Sequence, residues 1–243
     1  MLGKSKIKYI QSLGQKKFRD ETGLFIAEGP KIVKELLEAD PGLVKQVYAV
    51  NEWITQNRKL PTGIQVEEIS DQELEKISQL KTPNQVLALA GQLTNEEIRL
   101  KGKLSLALCG IQDPGNLGTI IRIADWFGVT QVICSMDSAD VYNPKVIQST
   151  MGSIARVSVF YTDLLQLLSA NRDIPVYATV LDGKDVTKIK KPEEGILLIG
   201  NESRGIPAEI LQLAGERLTI PKKGRAESLN AAVAAGIILA QLT

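Results

Sequence analysis

The sequence predicts an α/β protein of two layered domains, the second built on a largely parallel, doubly wound sheet. Three observations predict it. Short apolar runs alternate with helical patterns along most of the chain. In the C-terminal half, runs such as Leu104–Cys109 and Gly195–Gly200 are apolar without alternation, as strands covered on both faces are. Residues 92–103 are polar and charged without strong periodicity, and read as a linker. The 243 residues therefore divide into 1–91, 92–103 and 104–243, a size that suits two modest domains.

Taken in order, residues 4–19 carry Ile7, Ile10 and Leu13 at helical spacing with lysines between them, weakened by Gly14. A strand over 23–28 meets Gly29 and Pro30, which start a helix to about Ala39. Strands at 44–50 and 64–69, a helix at 71–78 with Asp71 as its capping residue, and a strand at 85–91 complete the small domain. In the large domain, strand Leu104–Cys109 is followed by a turn and a helix over about 116–127. Leu117, Ile120, Ile121, Ala124 and Phe127 form that helix's apolar face. Then come a strand at 132–134, a short helix opened by Asn143 and Pro144, a strand at 157–161, a helix at 163–169 and a strand at 175–180. Asp182 and Asp185 read as surface loop. Strand Gly195–Gly200 runs into a polar turn in which Gly205 is free to take a positive φ. After a strand at 217–220, Ser228 occupies the position of an N-cap before a helix over 229–240. That helix has almost no polar face, so it is expected in the core or against another subunit.

Composition excludes several chemistries. There is no histidine, which rules out a Ser-His-Asp triad, a Cys-His pair and a His-ligated metal site. Cys109 and Cys134 sit in apolar runs without zinc or redox spacing and read as buried structural thiols, in keeping with a reducing cytoplasm. The basic N-terminus lacks an apolar core after it, so no signal peptide is expected, and no apolar run approaches the ~20 residues a membrane span requires. Basic and acidic residues nearly balance, 29 against 28, but the first nineteen positions hold Lys4, Lys6, Lys8, Lys16, Lys17 and Arg19 and no acid. Such a segment is either a solvated helix face or an arm for phosphates.

Three polar clusters fall at strand-to-helix transitions of the large domain: Asp113-Pro-Gly-Asn-Leu-Gly-Thr-Ile-Ile-Arg122, Gly200-Asn-Glu-Ser-Arg-Gly205 and Ser228-Leu-Asn230. Singly, each is what a turn or a cap looks like. Together, at strand ends in one domain, they point to a site. A dinucleotide glycine motif is absent, and Gly3-Lys4-Ser5 lacks the upstream glycine and strand of a phosphate loop.

In these clusters the chain resembles the SpoU/TrmH branch of the SPOUT RNA 2′-O-ribose methyltransferases. The resemblance runs over about residues 104–243. It is carried by the 113–122 cluster, Leu198-Ile-Gly-Asn-Glu-Ser-Arg-Gly205, Ile220-Pro-Lys-Lys-Gly-Arg-Ala-Glu-Ser-Leu-Asn230 and Tyr142-Asn-Pro-Lys-Val-Ile-Gln-Ser-Thr-Met-Gly-Ser153. The N-terminal part is similar to the RNA substrate-binding domain often fused to it, which resembles ribosomal proteins that bind kinked (kink-turn) RNA. The resemblance implies a deep trefoil knot, an exception to the rule that chains avoid threading. It also implies S-adenosylmethionine held by loops 179–183, 198–205 and 218–229, with Thr179, Leu198, Gly200, Ile220 and Leu229 as contacts. The reaction implied is methyl transfer to a ribose 2′-hydroxyl of structured ribosomal or transfer RNA, by a cytoplasmic homodimer joined through the C-terminal domain, without metal or membrane.

Within that resemblance Arg122 anchors phosphate and stabilises the developing alkoxide, since a guanidinium stays protonated at neutral pH. Asn116, Glu202, Ser228 and Asn230 orient it and the ribose. The chain departs from many relatives at Lys222 and Lys223, where they carry Met, and at Ala231 and Ala232, where they carry Val-Ser. Two other functions fit the same fold: a non-catalytic RNA-binding or assembly factor, and a methyltransferase acting on a base nitrogen.

Overall fold

The structure, a computed structural model, describes residues 1–94 and 97–243. Asn95 and Glu96, within the expected linker, lie outside the described residues. Chain contacts divide the protein into one unit of Met1–Thr94 with Asp140–Ala155 and another of Asn95–Ala139 with Arg156–Thr243.

In the first unit the elements are α1 (Lys4–Ser12), α2 (Lys16–Thr22), β1 (Leu24–Glu28), α3 (Pro30–Ala39), β2 (Val44–Ala49), α4 (Asn51–Gln56), β3 (Val66–Glu68), α5 (Asp71–Ile77) and β4 (Val86–Gly91). They form a four-stranded sheet in the order β1-β4-β2-β3. β4 runs antiparallel to both β1 and β2, and β2 runs parallel to β3. The basic N-terminal segment is two helices, divided at the weak point Gly14 marks. The cap of α5 is Ser70, one residue before the expected Asp71, because Ser70 and Glu73 close a reciprocal capping box. The short helix α4, anchored by buried Trp53, has no counterpart in the sequence reading.

Residues 140–155, which the linker position assigns to the large domain, pack in this first unit. They contain the helix Pro144–Thr150, which packs on β1. The rings of Phe25 and Tyr142 lie 5.0 Å apart. Arg19 is buried at 2 % exposure. Its guanidinium donates to the carbonyls of Leu13 and Gly14, each at 2.9 Å, and pairs with the Asp140 carboxylate. A buried charge needs such partners.

The second unit contributes β5 (Leu104–Cys109), α6 (Pro114–Trp126) and β6 (Gln131–Cys134) before the helix Pro144–Thr150, which is α7. It continues with β7 (Ser158–Tyr161), α8 (Leu164–Ala170), β8 (Val176–Asp185), β9 (Gly195–Gly200), α9 (Ala208–Leu211), β10 (Glu216–Thr219) and α10 (Ala231–Leu242). Its six strands stand in the order β10-β8-β9-β5-β6-β7. Every pairing is parallel. The expected parallel α/β sheet is therefore present, its central strands buried as their unbroken apolar runs require.

Two expectations are corrected here. Asp185 pairs with Thr219 in β8 and so lies in the sheet, while Asp182 is exposed, as expected, in a bulge of that strand. β10 pairs with β8 through Arg217 and Ala178, then through Leu218 and Lys184, so residues 179–183 bulge out between the two paired stretches. Gly183 is required there, since a Cβ would stand 2.6 Å from the Arg217 carbonyl oxygen. The last helix begins at Ala231, not 229. Its cap is Asn230, which accepts from the amides of Ala232 and Val233, and Ser228 lies outside it. No helix among the described residues is long and apolar enough to cross a membrane.

Candidate active site

Asp113 caps α6 by accepting from the Asn116 amide at 2.8 Å, and Pro114 occupies the first helical position, where a missing N–H costs nothing. This cap turns the Asn116 side chain out of the first turn of α6. Its Nδ2 donates to Glu202, and its Oδ1 accepts from Asn230 Nδ2 at 2.8 Å. Three residues separated by up to 114 positions of chain thus form one hydrogen-bonded cluster, joining the starts of α6 and α10 to the loop after β9.

That loop is a tight hairpin. Asn201 and Gly205 exchange backbone hydrogen bonds of 3.1 and 2.9 Å, and Gly205 takes φ +67° as expected. Asn201 accepts from the amides of Ser203 and Arg204 and donates to the Gly110 carbonyl at 2.8 Å. Asn201 therefore does the turn's work, which leaves Glu202 free to reach Asn116. Gly200 is needed for the same hairpin, because a Cβ there would lie 2.6 Å from the Gly205 carbonyl carbon.

Beside the cluster is a cavity of about 620 Å³. Its walls are the 179–182 bulge, the 200–206 hairpin, the 218–229 segment and the start of α10. Thr179, Gly200, Ile220 and Leu229 line it, together with Glu202 and Ser228. One of the expected cofactor contacts falls elsewhere. Leu198 does not line the cavity. The pleat turns its side chain into the core with Ala107, Ala178 and Ile196. Arg122 is exposed on α6 and does not line the cavity. Asn116 and Asn230 border it through the cluster only. The sequence reading missed Ala231, Ala234 and Ile238 as lining residues. The small residues at 231–236 were the available signal, for a ligand as much as for a close helix contact.

The cavity fits S-adenosylmethionine. Its volume is in the range of small-molecule sites. Apolar Leu218, Ile220, Ala231, Ala234 and Ile238 offer a surface for an aromatic ring system, and acidic Asp182, Glu202 and Glu227 with basic Arg204, Lys222 and Lys223 can meet a ligand that carries both signs of charge. Burial, with the charge of Asp137, pushes the Cys109 thiol up to about 12. Cys134 is pushed up further by burial alone.

Comparison with known proteins agrees with this geometry. The model of the SpoU rRNA Methylase family matches residues 103–240, and that of the MRM3-like substrate binding domain matches residues 4–88. The chain is 34% identical over 240 residues to the 23S rRNA (guanosine(2553)-2′-O)-methyltransferase RlmP of Bacillus subtilis, spanning 98% of this chain and 95% of that one. Among solved structures, a TrmH-family protein from Porphyromonas gingivalis superposes with a TM-score of 0.88 at 35% identity, covering 100% of this chain and 98% of the other. An AdoMet-bound rRNA methyltransferase from Sinorhizobium meliloti gives 0.86 at 31% identity, covering 100% and 96%. The chain belongs to the SpoU rRNA methylase family and is an S-adenosylmethionine-dependent RNA methyltransferase.

Proposed function

We propose that this enzyme methylates a ribose 2′-hydroxyl of structured ribosomal RNA at the Asn116–Glu202–Asn230 cluster. The observation that carries the site is the cluster itself, because it places a carboxylate and two amides at the edge of the cavity. The activity of the B. subtilis relative supports the sugar as acceptor. S-adenosylmethionine, when bound, supplies the methyl as a carbon electrophile on a sulfonium and leaves as the neutral thioether.

The protein's own contribution is alignment and proton handling. Asn116, itself held by Asn230, holds Glu202 in place, and the Glu202 carboxylate keeps acceptor capacity beyond the Asn116 bond. Glu202 takes the hydroxyl proton as the new carbon–oxygen bond forms, a role no histidine is present to fill. Ser228 orients the ribose from the cavity rim. Thr179, Gly200, Ile220 and Leu229 hold the cofactor. Arg122 anchors phosphate and stabilises negative charge on the attacking oxygen.

Arg122 lies outside the cavity of its own chain, and we assign it to the site of a second copy. The exposed apolar residues Trp126, Val233 and Ile237 support a homodimer through this domain, at 83%, 50% and 37% exposure. Trp126 is one turn from Arg122 on α6, and α10 packs against α6. Sedimentation of the wild type as a dimer, and of Trp126→Asp as a monomer, is the expected result. Residues 1–91 form the RNA-binding domain, with the lysines of α1 and α2 on phosphate, 92–103 the linker and 104–243 the catalytic domain. The last of these carries the family's trefoil knot, and its action is cytoplasmic. Calorimetric titration tests the cofactor assignment: one site per chain is expected, and absence of heat would favour a non-catalytic RNA-binding factor.

A further inference from the structure

A second cavity, of about 300 Å³, opens beyond the carboxyl ends of β5, β6 and β9. Strand order reverses here. From β5 the chain moves to β6 and β7 on one side, and β9 and β8 lie on the other. In parallel α/β sheets that crevice is where ligands lie. Cys109 and Ile210 supply its apolar surface.

The polar groups converge in a fixed order. Ser135 Oγ accepts from the Gly110 amide at 2.8 Å and donates to Asp137 Oδ1 at 2.6 Å. Arg204 Nη2 stands 4.0 Å from Asp137 Oδ2. Asp137 and Arg204 are mostly exposed, at 57% and 65%, so both are open to a ligand. Gly110, at φ +65°, leaves the carboxylate room, since a Cβ would sit 3.1 Å from Oδ2. Asn201, Arg204 and Gly205 line both cavities, so the hairpin that carries Glu202 is their common wall.

A carboxylate only accepts and a guanidinium only donates. Among the four RNA bases, guanine alone presents two adjacent N–H donors, N1–H and N2–H, beside a carbonyl oxygen, O6. We propose that this cleft holds the base of the target nucleotide, unstacked from the RNA, and that Asp137 and Arg204 select guanine by its pairing edge. Asp137 accepts from N1–H and N2–H, and Arg204 donates to O6. Enzymes that act on extruded nucleotides read them in this manner. The inference rests on the 2′-O-methylation reading above.

The test uses the full-length protein, bulk ribosomal RNA lacking the modification, and nucleoside analysis of the product. Wild type is expected to yield 2′-O-methylguanosine. Asp137→Asn, which replaces one acceptor by a donor, is expected to lower kcat/KM about 10- to 100-fold. Its cofactor affinity should stay within about twofold of wild type, which also reports an intact fold. Once the target is mapped, an RNA with inosine there, lacking N2–H, should be a poorer substrate for wild type and no poorer for Asp137→Asn. A 2′-O-methyl product on another base, or an Asp137→Asn enzyme as active as wild type, overturns the guanine subsite and leaves the methylation reading standing. No methylated ribose at all overturns both.

Discussion

Asn230 donates from Nδ2 to Oδ1 of Asn116 at 2.8 Å, across 114 positions of chain, while its own Oδ1 caps α10. One side chain thus fixes the start of the last helix and one side of the site. Asn116 in turn holds Glu202.

Asn116→Ala removes both bonds and leaves Glu202 unheld. Turnover should fall about 100-fold, the usual consequence of a reacting group displaced by about an ångström. Cofactor affinity should change little, because Asn116 does not line the cavity. Single-turnover kinetics beside calorimetry separate the two effects. A loss confined to cofactor binding would remove Asn116 from the chemistry.

Arg122→Ala should lower turnover about 100- to 1,000-fold, as loss of one charge-stabilising donor does. If Arg122 serves a second copy, mixing Arg122→Ala with Asn116→Ala chains should recover activity, since a mixed dimer has one site with both residues intact. Retained activity in Arg122→Ala alone would dismiss its role, and failure of the mixture to recover activity would place Arg122 and Asn116 in one chain's site.

Gly200→Ala forces a Cβ to within 2.6 Å of the Gly205 carbonyl carbon, where backbone rather than a flexible side chain must yield. Stability should drop by about 1–3 kcal/mol, the range for overpacking. Urea unfolding measures it, and an unchanged midpoint would show that the hairpin adjusts freely.

Much of this was legible in the chain. Unbroken apolar runs marked β5 and β9 as buried parallel strands, and Asp113 with Pro114 marked the start of α6. What failed has physical causes. In Ser228-Leu-Asn230, two side chains suit a cap, and only the backbone decides which does. β8 resumes at Lys184 and Asp185 by backbone pairing with Leu218 and Thr219 that polar side chains do not announce. Leu198 shares a motif with Gly200 but, inside the sheet, its side chain belongs to the core.

Glu28 gives a pH signature for the first unit. Burial holds its carboxyl above the usual range, opposed by hydrogen bonds from the Ser78 hydroxyl and the Gln79 amide. Because the folded pKa is the raised one, its contribution is fully present below the unfolded value of 4.5 and is lost as pH rises through the folded value. The stability difference between wild type and Glu28→Gln should therefore move against wild type as pH increases from about 4 to 7. A pH-independent difference would show that Glu28 titrates as it does unfolded.

The most direct test of the site is nucleoside analysis of unmodified ribosomal RNA after incubation with the protein and S-adenosylmethionine labelled in its methyl group. The label should appear in a single 2′-O-methylated nucleoside, and Glu202→Ala should reduce it about 100-fold or more. Label on a base nitrogen, or undiminished ribose labelling by Glu202→Ala, would contradict methyl transfer at this cluster.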